Sequence, residues 1–213
     1  MINKKIITLS LLLLSIVSIM WCSTKKTETN PTTTNVNVTN SSCKDAIATY
    51  LKQTNKTTEG ELVAKWNTVT VDYVGRLDEE TVFDTSVESI AKACGKYATG
   101  RDYNQGLAFS VGAGQMIAGF DQGVEGMKVG ETKTISIEPK DAYGVRDEKN
   151  LITVPKEQIP GADTYEVGMQ VMASNGQAFK INKIDEKNII LDGNHELAGK
   201  TLIFDITVKS VQK

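Results

Sequence analysis

Residues 111–120 read Val111-Gly112-Ala113-Gly114-Gln115-Met116-Ile117-Ala118-Gly119-Phe120, and the segment runs on through Val124 to Met127. Ile117, Phe120, Val124 and Met127 recur at intervals of three and four. That spacing lays one apolar stripe along a helix. Glycines flank the segment, so the helix is short. A short helix with one apolar stripe must bury that stripe against another element, and the sequence on both sides supplies strands.

Upstream, within Trp66 to Leu77, Val69, Val71 and Tyr73 alternate with Thr70 and Asp72, the period of a half-buried strand. Downstream, Lys133, Ile135 and Ile137 oppose Thr132, Thr134 and Ser136. Near the C-terminus Leu202, Phe204, Ile206 and Val208 alternate with Ile203, Asp205, Thr207 and Lys209, which puts Phe204 on the inward face. Strands, one short helix and more strands make an α+β fold: an antiparallel sheet, a half-barrel, wrapped on a short helix. Ahead of it, Ala46, Ile47, Tyr50 and Leu51 give Cys43 to Gln53 a helical stripe of its own.

Residues 151–199 have a different texture. Asn175-Gly176 between two short apolar runs is a strong hairpin cue, and Asp185-Glu186-Lys187-Asn188 separates Lys180–Ile184 from Ile189–Leu191. The stretch reads as a small three-stranded all-β domain inserted before the last strand, so the main domain is split into residues 43–150 and 200–213. Residues 23–42 are mostly Thr, Asn, Ser and Lys and cannot bury enough apolar surface to offset ordering, so they read as a flexible tether.

In residues 1–22, Lys4 and Lys5 precede an apolar run from Ile6 to Trp21 that ends at Cys22. A positive segment followed by a short apolar one is the pattern of an export signal. The run is shorter than the ~20 residues that span a bilayer comfortably. Cys22, with polar residues directly after it, has the placement of a lipoprotein cysteine, although Trp21 stands where a small residue is usual. Two outcomes stay open: lipidation at Cys22, or ordinary cleavage or an uncleaved anchor with Cys22 incidental. Both put the protein outside the cytoplasmic membrane, either attached to the membrane surface or secreted.

The 213-residue chain carries 24 Lys plus Arg against 26 Asp plus Glu, a balance that implies no nucleic-acid partner. Its one histidine, His195, argues against a His-rich metal site and is read as structural, in the turn returning from the insert.

Five stretches taken together are specific. Val71-Asp72-Tyr73-Val74-Gly75, Val82-Phe83-Asp84-Thr85-Ser86, the quoted Val111–Phe120, Asp141-Ala142-Tyr143-Gly144 and Leu202-Ile203-Phe204-Asp205 resemble, in order, the motifs of FKBP-type peptidyl-prolyl cis/trans isomerases. Val154-Pro155-Lys156 and Asp192-Gly193-Asn194-His195-Glu196-Leu197-Ala198-Gly199 resemble the insert-in-flap domain of the SlyD branch. The longer stretch from Val87 to Gly106 is similar to that of archaeal forms.

The resemblance implies a substrate pocket formed by Tyr73, Phe83, Leu107, Phe109, Met116, Ile117, Phe120 and Phe204, with Asp84 and Tyr143 as its catalytic pair. Phe120 stands where the family often has tryptophan at the pocket floor, which implies an altered floor. Phe83, Phe109, Phe120 and Phe204 would enclose a proline ring, the Ile117 N–H would meet one substrate carbonyl, and Tyr143 another. Asp84 would orient the rotating carbonyl or hold the pocket through Tyr73. The implied chemistry is rotation about an X–Pro bond, with no cofactor. The chain stops at Val211-Gln212-Lys213, without the metal-binding tail of the branch, so no metal role is expected. The implied partners are unfolded or partly folded proline-containing polypeptides, captured by the insert, and the implied assembly is a monomer.

Cys43 and Cys94 both lie in segments added to the compact form of the family. In an oxidising compartment they would bridge; in a reducing one they would be two buried thiols.

Overall fold

The computed structural model describes residues 40–54, 59–159, 161–173 and 176–213. The signal-like segment 1–22 with Cys22, the tether up to residue 39, and Asn175 of the hairpin cue lie outside the described residues.

In chain order the first elements are α1 (Asn40–Thr54), β1 (Thr68–Arg76), β2 (Val82–Thr85), α2 (Glu88–Ala93) and β3 (Leu107–Ser110). Then come α3 (Ala118–Val124), β4 (Thr132–Ile137), β5 (Leu151–Pro155), β6 (Gln170–Met172), β7 (Ala178–Ile184), β8 (Asn188–Asp192) and β9 (Leu202–Gln212). The main sheet has the order β2-β1-β9-β4, with β3 also paired to β1, and all its pairings are antiparallel. Helix α3 lies on its inner face, where Phe120 and Val124 join Val69, Val71, Phe204, Ile206 and Val208 in one core. Close seating depends on Gly119 in α3, where a Cβ would come 2.3 Å from Ile137 of β4.

The outer face is covered as well. Cys43 and Ile47 of α1 pack with Val74, Val82 and Ile90, and a disulfide joins Cys43 to Cys94 at the end of α2. Tyr50 Oη and Thr207 Oγ1 share a hydrogen bond of 2.7 Å, and Thr132 Oγ1 donates to the Thr54 carbonyl. Burial on both faces explains why Asp205, at an outward-facing position of β9, is fully buried. Arg76 Nε donates to it at 2.8 Å and Thr134 Oγ1 at 2.6 Å, the partners that a buried carboxylate needs. Residues 40–42, read from composition as part of the tether, are helical: α1 begins at Asn40, because Cys43 is pinned and a turn of backbone ahead of it completes the helix.

Between β4 and β9 the chain builds a second antiparallel sheet of order β5-β8-β7-β6. It has four strands where the sequence pattern indicates three. The additional strand, β5, pairs Leu151–Pro155 with Asn188–Asp192. It lies at an edge, where Pro155 costs no ladder bond. The core of this sheet is small: Ile181, Ile189 and Ala162 are buried, whereas Met172 and Val167 are 69% and 63% exposed.

Candidate active site

β1 carries Tyr73 and Gly75 side by side with β2 and β9. Gly75 is registered opposite Asp84 on one side and Phe204 on the other. A Cβ at Gly75 would fall 2.6 Å from the Phe83 ring and 2.9 Å from the Phe204 ring. The absence of a side chain there lets the two rings meet edge to face, their centroids 5.5 Å apart. From the opposite side α3 delivers Phe120, whose centroid lies 5.0 Å from that of Phe204 and 6.2 Å from that of Tyr73. Phe120 is buried and forms the floor.

These rings open into a cavity of about 470 Å³ lined by Tyr73, Phe83, Asp84, Leu107, Gln115, Met116, Ile117, Phe120, Tyr143, His195, Glu196, Leu197 and Phe204. The adjacent Phe83 and Asp84, together with the distant Tyr143 and Phe204, thus share one cavity. Phe109, read from sequence as part of the enclosing wall, does not reach the lining. It sits two residues beyond Leu107 on β3, about 7 Å deeper along the strand. There it packs behind Phe120, with a centroid distance of 5.7 Å.

The polar wall is a closed triangle. Tyr73 Oη donates to Asp84 Oδ2 in a short hydrogen bond. Arg101 Nη1 donates to Asp84 Oδ1 at 2.7 Å, and Arg101 Nη2 donates to Tyr73 Oη at 2.9 Å. The Thr85 N–H adds a bond of 2.8 Å to Asp84 Oδ1. Burial, reinforced by the neighbouring Asp84 carboxylate, pushes the Tyr73 phenol up to about 12. Tyr73 therefore stays a neutral donor at physiological pH. Asp84 is engaged by Tyr73 and Arg101 together.

Sequence reasoning missed Arg101. It lies in the 87–106 stretch, which carries no periodic signal, and only the fold brings it to Asp84. Its guanidinium lies over the Tyr103 ring (5.3 Å), Tyr103 stacks on Tyr97, and the Tyr103 hydroxyl accepts from the Ala98 N–H.

Two donors remain open at the cavity. Among the described residues neither the Ile117 N–H nor the Tyr143 hydroxyl has a hydrogen-bond partner. Opposite Tyr143 stands His195, read from sequence as structural; its ring is stacked on that of Tyr143 with centroids 3.9 Å apart and planes 5° from parallel. A signal for His195 existed only in its position, two residues before buried Leu197.

A larger groove, of about 990 Å³, runs along the insert from Val167 and Gln170 past Phe179 and Ile181 to Arg146, His195 and Glu196. It is open and of mixed charge, and it lacks the clustered rings of the smaller cavity. His195 and Glu196 line both.

A family model described as FKBP-type peptidyl-prolyl cis-trans isomerase matches residues 60–209. The chain is similar to a short-type peptidyl-prolyl cis-trans isomerase of Methanocaldococcus jannaschii, 44% identical over 152 residues, or 71% of this chain and 95% of that protein. It is also similar to the FKBP-type isomerase SlyD of Escherichia coli, 33% identical over 110 residues (50% of this chain, 56% of that protein). The SlyD of Vibrio cholerae is 36% identical over 109 residues, 50% of this chain and 54% of that protein. The chain thus spans only somewhat over half the length of the SlyD proteins.

Proposed function

Because this chain belongs to the FKBP-type peptidyl-prolyl cis-trans isomerases, we propose that its ring-lined cavity takes an X–Pro segment of an unfolded polypeptide and binds it most tightly when the amide is half rotated. The uncatalysed barrier is ~18–20 kcal/mol because rotation sacrifices amide resonance. A planar amide is strongly polarised and a twisted one less so. A cavity floored by Phe120 and walled by Phe83 and Phe204 therefore favours the twisted form over the planar one relative to water. Each ~1.4 kcal/mol of that preference gains about tenfold in rate. No bond is broken, so neither nucleophile nor general base is needed.

The observation that carries this reading is the convergence of three phenylalanine rings and two unpartnered donors on one cavity. The Ile117 N–H holds a carbonyl of the substrate backbone. The Tyr143 hydroxyl holds another, across the cavity mouth. Asp84, fixed by Tyr73 and Arg101, sets the electrostatics of the wall against which the carbonyl turns. The insert captures the client: the exposed Met172, Met169 and Val167 suit promiscuous apolar contact, because methionine adapts to irregular surfaces. Clients are exported polypeptides, a reading supported by the Lys4-Lys5 and Ile6–Trp21 pattern, and the protein acts outside the cytoplasmic membrane as a monomer, held at its surface or secreted.

Turnover of a proline tetrapeptide tests the cavity. Acceleration over the uncatalysed rate is expected, and none would leave a holding chaperone with a degenerate site. Excising residues 151–192 and joining the ends with a short Gly-Ser linker tests the division of labour. Tetrapeptide turnover should persist while catalysed refolding of a proline-limited protein falls at least tenfold; equal loss of both would refute it.

A further inference from the structure

The insert leaves and re-enters the main domain through two arms that meet at the mouth of the cavity. The outgoing arm carries Tyr143 and Gly144, the returning arm His195 to Gly199. The Gly199 N–H donates to the Gly144 carbonyl at 2.8 Å and ties the arms together. A little further out Asn194 joins them again: its Oδ1 accepts from the Asp147 N–H and its Nδ2 donates to the Asp147 carbonyl.

Tyr143 is 40% exposed, and its hydroxyl has no hydrogen-bond partner among the described residues. Left to itself, such a side chain samples several rotamers. His195 is held firmly by comparison. Its Nδ1 accepts from the Leu197 N–H at 3.2 Å, and its carbonyl accepts from the Ala198 N–H at 2.9 Å. Leu197 in turn is buried in the main core. A rigid path therefore runs from the core through Leu197 to the imidazole, and from the imidazole face to the phenol ring. The Nδ1 contact fixes the plane of the imidazole, and a near-parallel stack passes that plane on to Tyr143.

We propose that His195 is a positioning residue for the isomerase reaction: its ring holds Tyr143 in the one orientation that presents the hydroxyl to the substrate carbonyl. The proposal deepens the reading that Tyr143 contacts substrate and rests on it. Because His195 belongs to the arm returning from the insert, the orientation of Tyr143 is set from the insert side of the cavity.

The test is tetrapeptide turnover by the full chain with four variants: His195→Ala, His195→Phe, Tyr143→Phe and the His195→Ala/Tyr143→Phe double. A stacked ring pair predicts a kcat about threefold to tenfold lower in His195→Ala, with KM less affected. His195→Phe keeps a flat ring on Tyr143 and should recover most of the loss. In the double variant the two losses should not add, because the ring has no hydroxyl left to aim. Full activity of His195→Ala beside a slowed Tyr143→Phe overturns the positioning role and spares the reading of Tyr143. The reverse result, a silent Tyr143→Phe beside a slowed His195→Ala, overturns the proposal together with the reading it rests on, because the hydroxyl that His195 is said to aim would play no part in turnover. A His195→Ala loss that phenylalanine does not rescue also overturns the proposal. Thermal melts of all four separate misfolding from lost activity.

Discussion

Arg101 and Asp84, seventeen residues apart, meet at 2.7 Å on the rim of the cavity, and the same guanidinium also reaches the Tyr73 hydroxyl. One cation thus fixes both polar groups of the wall. The pair is partly open to solvent, with the Arg101 and Asp84 side chains 35% and 47% exposed. Its contribution to stability is therefore small, and its importance is geometric.

Asp84→Ala removes the acceptor of both Tyr73 and Arg101. We expect kcat/KM for a proline tetrapeptide to fall about tenfold to a hundredfold, the scale of a hydrogen bond to a charged group. Arg101→Ala leaves Asp84 with Tyr73 and should cost roughly twofold to fivefold, with little change in Tm. Equal activity of Arg101→Ala and wild type would remove Arg101 from the site.

Tyr50 and Tyr73 are both pushed up to about 12, chiefly by burial. The proton is held more tightly in the folded chain than in the unfolded one, where a phenol ionises near pH 10. The associated stability is complete below about pH 10 and is lost as pH rises through about 12. Phenolate absorbance during alkaline titration should show a late component, and Tyr73→Phe and Tyr50→Phe should each reduce it.

Gly75→Ala places a methyl group within 3 Å of Phe83 and Phe204. Overpacking of this kind costs about 1–3 kcal/mol and pushes the rings into the cavity. A lowered Tm together with a raised KM for the tetrapeptide is expected. An unchanged KM would mean that the two rings do not border the bound proline.

The Cys43–Cys94 bridge spans 51 residues, and in the chain-entropy account such a loop contributes about 4 kcal/mol. Reduction should lower Tm by roughly 5 to 15 °C. Cys43→Ser should behave as the reduced protein does, and a reductant should leave its Tm where it is. A wild-type Tm insensitive to reductant would contradict the bridge.

Much of this was legible in the sequence because the governing signals are periodic. The alternation in Leu202–Val208 and the three-and-four spacing of Ile117 to Met127 are each set by a single element and its buried face. The cavity residues came instead from the ordered motifs that resemble those of the FKBP-type isomerases. What escaped is set by contacts between distant segments. Nothing local marks Arg101 as the partner of Asp84, and nothing near His195 shows that Tyr143, across the insert, returns to its face. The resemblance put Phe109 in the pocket, whereas it packs behind Phe120, deeper along β3 than Leu107, a depth that matching motifs do not carry. β5 was overlooked because Leu151-Ile152-Thr153-Val154-Pro155 alternates poorly and ends in proline, as an edge strand is free to do.

The covering of the main sheet on both faces has a consequence for how the molecule breathes. β9 is central, with β1 and β4 as neighbours, α3 beneath it and α1 above. Its amides should exchange with solvent only when the whole chain opens, and be the slowest in the protein. The 94–106 loop and the two arms at Gly144 and Gly199 have far less overhead and should exchange early. Deuterium would thus enter at the segments that carry Arg101, Tyr143 and His195 long before it reached the strand bearing Phe204, so the same cleft has one slow wall and a quick rim.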